Sequence, residues 1–111
     1  MQQTIGRVVQ FVTNMIAPEQ IILFGSVAAE RNNQYSDVDM IIVVDDIENR
    51  SYYSDLVTQF IRRFALKADV LVHEKEEICQ AKPFSFLAEA VKSGIIIYDK
   101  TIVANATEKT L

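Results

Sequence analysis

The 111 residues suffice for one hydrophobic core and leave no room for a second substrate-binding domain of ordinary size. Half are apolar, as in a soluble globular domain, and the net charge of −4 withholds the basic excess that non-specific nucleic-acid binding needs, so small molecules or basic proteins are the expected partners. Cys79 is the single cysteine, which excludes an internal disulfide and a cysteine zinc cage and fits a cytoplasmic setting; with no signal-peptide pattern and no apolar run near the roughly 20 residues of a bilayer span, neither secretion nor membrane insertion is expected.

Ile5, Val8, Val9, Val12, Met15 and Ile16 recur at helical spacing, which predicts an amphipathic helix ending at Pro18. Residues 21–24 form a short β-branched run before Gly25 and read as a buried strand. Residues 26–35 are a polar connection that can open with a short helix. Residues 38–44 are apolar on both faces once past Asp37 and Asp39, the pattern of a central strand with one polar end. Tyr53, Leu56, Val57, Phe60, Ile61 and Phe64 form a second helical stripe, residues 70–72 a third strand, and residues 74–80 a charged helical connector. After Pro83, the stripe Phe84, Leu87, Ala90 and Val91 predicts a last helix closed by Gly94, followed by an edge strand at 95–98. From Lys100 the chain turns polar, so the expected organisation is one domain over residues 1–99 and a tail over residues 100–111.

This order predicts an α+β fold, a mixed sheet covered by helices. The helix between the second and third strands allows them to lie parallel, and the shorter link between the first and second allows those to run antiparallel. Gly25, Asp37, Asp39 and Asp69 then meet at one edge of the sheet.

Asp37 and Asp39 are two apart on a strand, so they share a face with Cα atoms roughly 6.6 Å apart. Such a pair, joined by Asp69 from the neighbouring strand, can hold magnesium, which takes a few carboxylates together with water and substrate phosphate. Clustered carboxylates repel one another unless a cation lies among them. An acidic pair is by itself unspecific and is as readily a solvated strand entrance. Context separates the cases, because Asp39 and Asp69 adjoin apolar runs where aspartate is depleted, whereas Asp45 and Asp46 head a polar turn at the other strand end. Gly25-Ser26 after a strand is most simply a turn with a helix cap; beside the aspartates, its backbone N–H groups and hydroxyl can also grip phosphate.

Phe24-Gly25-Ser26, ten intervening residues, then Asp37-Val38-Asp39 before an apolar strand resembles the signature of the DNA polymerase beta nucleotidyltransferase superfamily, and Ala68-Asp69-Val70-Leu71 resembles its third-aspartate strand. The short length resembles the minimal nucleotidyltransferases, which are often paired with a HEPN-domain toxin. The resemblance implies that Gly25 and Ser26 bind the triphosphate of ATP or another nucleoside triphosphate. It further implies that Asp37 and Asp39 ligate two Mg²⁺ ions, and that Asp69 ligates the catalytic ion and assists deprotonation of an acceptor hydroxyl. The implied acceptor is a tyrosine of a HEPN-type toxin, with this chain as its antitoxin, alone or as an oligomer. One departure stands out: Val27 and Ala29 occupy positions where many such proteins have arginine, with Arg31 the nearest replacement. The competing reading is a non-catalytic module that neutralises its partner by occlusion. The remaining conspicuous residues read as structural. His73 lacks a ligand partner, Cys79 is expected to be inert and partly buried, and Arg62-Arg63 is a solvated helix face.

Overall fold

The computed structural model of the chain describes residues 2–25 and 38–102. Helix α1 (Gln2–Met15) leads into β1 (Gln20–Phe24), and β2 (Val38–Val44) is followed by α2 (Arg50–Arg62) and β3 (Ala68–Glu74). Helices α3 (Lys75–Cys79) and α4 (Phe86–Ser93) then precede β4 (Ile95–Asp99). The sheet order is β3-β2-β1-β4. Strands β2 and β3 are parallel, whereas β1 is antiparallel to both β2 and β4. The α+β architecture and the strand directions are therefore those the sequence predicts, and β4 is the expected edge.

Strand periodicity divides the core into two layers. On one face, Ile21 and Leu23 of β1, the even-numbered residues of β2 and Val70 and Val72 of β3 pack against Val8 and Val12 of α1 and Val57 and Ile61 of α2. On the other, Ile22, Phe24, Ile41 and Val43 meet Ala90, with Leu71, Ile78, Leu87 and Val91 around them. Strand β2 needs apolar residues on both faces because it is covered on both, and Ile41 and Ile42 are each fully buried.

Polar contacts close the end of the sheet remote from Gly25. Glu19 N–H donates to Val43 O at 2.7 Å, and the Glu19 carboxylate accepts from Lys100 Nζ at 2.9 Å and Lys75 Nζ at 3.4 Å. Arg50 reaches Glu77 at 2.8 Å, and Glu77 also receives the Glu74 backbone N–H at 2.8 Å, closing a capping box on α3.

Three local expectations change. Strand β3 begins at Ala68, which places Asp69 inside the ladder. Phe84 lies outside the last helix with φ 66° and is 86% exposed, because Ser85 is the N-cap: its hydroxyl accepts Ala88 N–H at 3.2 Å and starts α4 at Phe86. Cys79 is exposed, since it ends the one-turn α3 on a solvent-facing side. Among the described residues no helix is long and apolar enough to cross a membrane.

Candidate functional site

The candidate site follows from strand register. Phe24 pairs with Asp39 across β1 and β2, and Asp39 pairs with Asp69 across β2 and β3. Residues directly opposite in a ladder share a face of the sheet. Asp39 alternates with buried Met40 and lies on the face of Ile41, while Asp69 lies on the face of Leu71. Phe24, Asp39 and Asp69 therefore form a row across three strands on the α3/α4 side, with the two carboxylate-bearing backbones about 4.8 Å apart, the ordinary strand spacing. Asp39 is half-buried and Asp69 exposed, so the row opens to solvent toward β3.

Gly25 abuts this row. Its φ is 75°, a left-handed conformation that side chains oppose, and a Cβ built on it would collide with Asp39 Oδ2. The bare Cα thus gives the Asp39 carboxylate its place, a role for the glycine that its position after the strand did not reveal. Ser26 and Asp37, together with Val27, Ala29 and Arg31, lie outside the described residues. The structure therefore brings together Gly25, Asp39 and Asp69 of the five candidate residues. No group of three or more histidine, cysteine, aspartate or glutamate side chains suited to a metal ion occurs among the described residues. Asp39 and Asp69 are nevertheless hard oxygen donors side by side, which fits magnesium bound by one or two carboxylates and completed by phosphate and water.

The other acidic residues are engaged differently. Asp45 and Asp46 are exposed at the opposite end of β2. The backbone N–H of Glu74 holds the Glu77 carboxyl below the ordinary glutamate range, helped by Arg50 and His73. His73 Nδ1 lies 3.4 Å from Glu77 Oε2, the hydrogen-bonded structural role its position suggested.

An aromatic contact adjoins the row. Phe24, 8% exposed, meets Phe86 of α4 edge to face, with centroids 5.7 Å apart and planes at 81°. Reading Phe84 as the helical aromatic hides this pairing; the N-cap propensity of Ser85 was the signal that shifts the first turn onto Phe86.

Comparison with known proteins agrees with the architecture. No curated protein matches the chain. Among solved structures, it resembles a presumptive nucleotidyltransferase from Sulfolobus solfataricus, with a TM-score of 0.63 and 22% identity over 91% of this chain and 82% of that one. It also resembles a chain in the complex of tri-AMPylated Shewanella oneidensis HEPN toxin with MNT antitoxin (TM-score 0.61, 17% identity, 95% and 77% covered). A third likeness is to a toxin-antitoxin structure with AMP-PNP (TM-score 0.62, 18% identity, 88% and 73% covered). At these identities the likeness is one of fold. The family model "Polymerase beta, Nucleotidyltransferase" matches residues 7–102, most of the chain, including Gly25, Asp39 and Asp69. The chain belongs to the polymerase beta nucleotidyltransferase family.

Proposed function

We propose that this chain transfers the nucleoside monophosphate of Mg-bound ATP to a hydroxyl of a HEPN-type toxin, acting as the antitoxin of the pair. The observation that carries the reading is the in-register placement of Asp39 beside Asp69, with Gly25 making room for the Asp39 carboxylate. The toxin-antitoxin complexes among the structural neighbours support the choice of acceptor. We take residues 1–99 as the catalytic domain and residues 100–111 as its tail.

The Asp37 and Asp39 carboxylates would hold both magnesium ions, and Asp69 would join them on the acceptor-side ion. When bound, magnesium neutralises triphosphate charge and favours ionisation of the attacking hydroxyl. Gly25 and Ser26 position the triphosphate. Asp69, open to solvent, faces the acceptor and assists removal of its proton. The acceptor oxygen bonds to the α-phosphorus, the bond from that phosphorus to the bridging oxygen breaks, and pyrophosphate leaves with the electron pair. The protein contributes positioning and preorganised charge.

Asp69→Asn conserves size while removing the carboxylate charge. The variant is expected to bind Mg-ATP within about tenfold of wild type, or about 1.4 kcal/mol, and to lose nearly all transfer. The assay is label incorporation into a co-purified partner from [α-³²P]ATP, with [γ-³²P]ATP as control. Label from the γ position identifies a kinase and overturns the reading, and normal transfer by Asp69→Asn removes Asp69 from the site. Tight partner binding without any transfer by wild type establishes occlusion instead, the reading that Val27 and Ala29 favour.

A further inference from the structure

We infer that Phe86 is the stacking platform for the base of the bound nucleotide, an inference that rests on the nucleotidyltransferase reading above. Phe24 stands directly across the β1–β2 ladder from Asp39, and Phe86 packs on Phe24 from the first turn of α4. The Phe86 ring is thus separated from the Asp39 strand by one strand spacing and one ring contact, on the order of 10 Å, a span that a ribose bridges between α-phosphate and base. Despite its contact with Phe24, Phe86 is 64% exposed. The ring is therefore held against the end of the carboxylate row while most of its surface meets solvent.

A lone exposed apolar residue needs no explanation, but Phe86 has company. Ile96, 52% exposed, pairs with Ile22 on the face of Phe24, and Phe84 is exposed two residues upstream of Phe86. Apolar surface thus gathers beside the row on the β1/β4 side, whereas Asp69 opens it to solvent on the β3 side. A nucleoside triphosphate has this polarity: charged phosphates at one end, a flat aromatic base at the other. With the phosphates at Asp39, the base falls on the apolar side and the acceptor enters past Asp69. Every base has a π-face, so a phenyl platform contributes affinity with little base selectivity.

The test compares Mg-ATP with magnesium tripolyphosphate, which has the phosphates and no base, by calorimetry on the full chain. Phe86→Ala is expected to weaken ATP binding by about tenfold (about 1.4 kcal/mol) and to leave tripolyphosphate within about twofold of wild type. Tyr52→Ala, which removes an exposed aromatic of α2 at the far end of the sheet, is expected to change neither. The chain contains no tryptophan, so Phe86→Trp introduces a single tryptophan, excited selectively over the tyrosines, that retains an aromatic face. Its emission is expected to shift with Mg-ATP and not with tripolyphosphate, a readout that holds even if Phe86→Ala fails to fold. Wild-type ATP affinity in Phe86→Ala, or equal losses for both ligands, overturns the platform while leaving the nucleotidyltransferase reading intact. A variant impaired only in capturing the partner protein reassigns Phe86 to that interface and likewise overturns it. Wild type that binds neither ligand removes both readings.

Discussion

Gly25 holds two constraints at once, a φ of 75° and a Cα pressed against the Asp39 carboxylate. Alanine there meets both the left-handed penalty of about 1–2 kcal/mol and a displaced Asp39. Gly25→Ala is therefore expected to lower the melting temperature and, in the protein that remains folded, to lose the stabilisation that Mg-ATP confers on wild type, as scanning calorimetry with and without ligand checks. Unchanged ligand stabilisation would mean that Asp39 keeps its place without the glycine. At Glu77 the sign of the pH effect follows from a folded carboxyl held below its ordinary range by the Glu74 N–H, with Arg50 and His73 adding to it. Such a group stabilises the fold fully above the ordinary glutamate range, and that contribution disappears as pH falls through the lowered folded value. Melting followed from about pH 7 to about pH 3, across the glutamate range, is expected to show a shallower acid decline for Glu77→Gln than for wild type. The sequence exposed the aspartates because aspartate beside a buried apolar run is chemically out of place. It concealed Gly25's service to Asp39, which depends on how the first two strands meet.

Periodicity decided most of the secondary elements. Strand β2 is apolar on both faces because helices cover both, and the stripe of α1 faces the sheet through Val8 and Val12. Boundaries depended on single hydrogen bonds that periodicity does not register, such as the Ser85 cap that excludes Phe84 from α4. Helix α4 is seated by Gly94, where a side chain would meet Ile22 Cγ2 at 2.6 Å and the carbonyl oxygens of Ala90 and Leu23 at 2.7 Å. The backbone angles at Gly94 are ordinary, φ −78° and ψ 170°, so lack of space is what demands glycine. Gly94→Ala is expected to cost about 1–3 kcal/mol, the range for overpacking a close contact. Chemical denaturation gives the midpoint shift, and a loss under about 0.5 kcal/mol, the range of neutral surface changes, would show that α4 moves away from β1 freely.

Across the fold, strand directions were readable because the connection lengths restricted them: the helix-bearing link between β2 and β3 permits parallel pairing, and the register then sets Asp39 beside Asp69. Side-chain detail at the site was not readable to the same depth, since the Phe24–Phe86 contact joins residues distant in sequence. The parallel pairing also bears on folding order. Bringing Asp39 and Asp69 together closes a loop containing all of α2, and non-local closures of this kind come at a greater entropic cost than hairpin-like ones. If the carboxylates meet only after the folding barrier has been crossed, a ligand bound between them stabilises the native state and leaves the transition state untouched. Mg-ATP would then retard unfolding, with the refolding rate constant unaltered. Stopped-flow chevrons with and without Mg-ATP separate the two limbs, and acceleration of the refolding limb would instead place β2–β3 pairing within the nucleus.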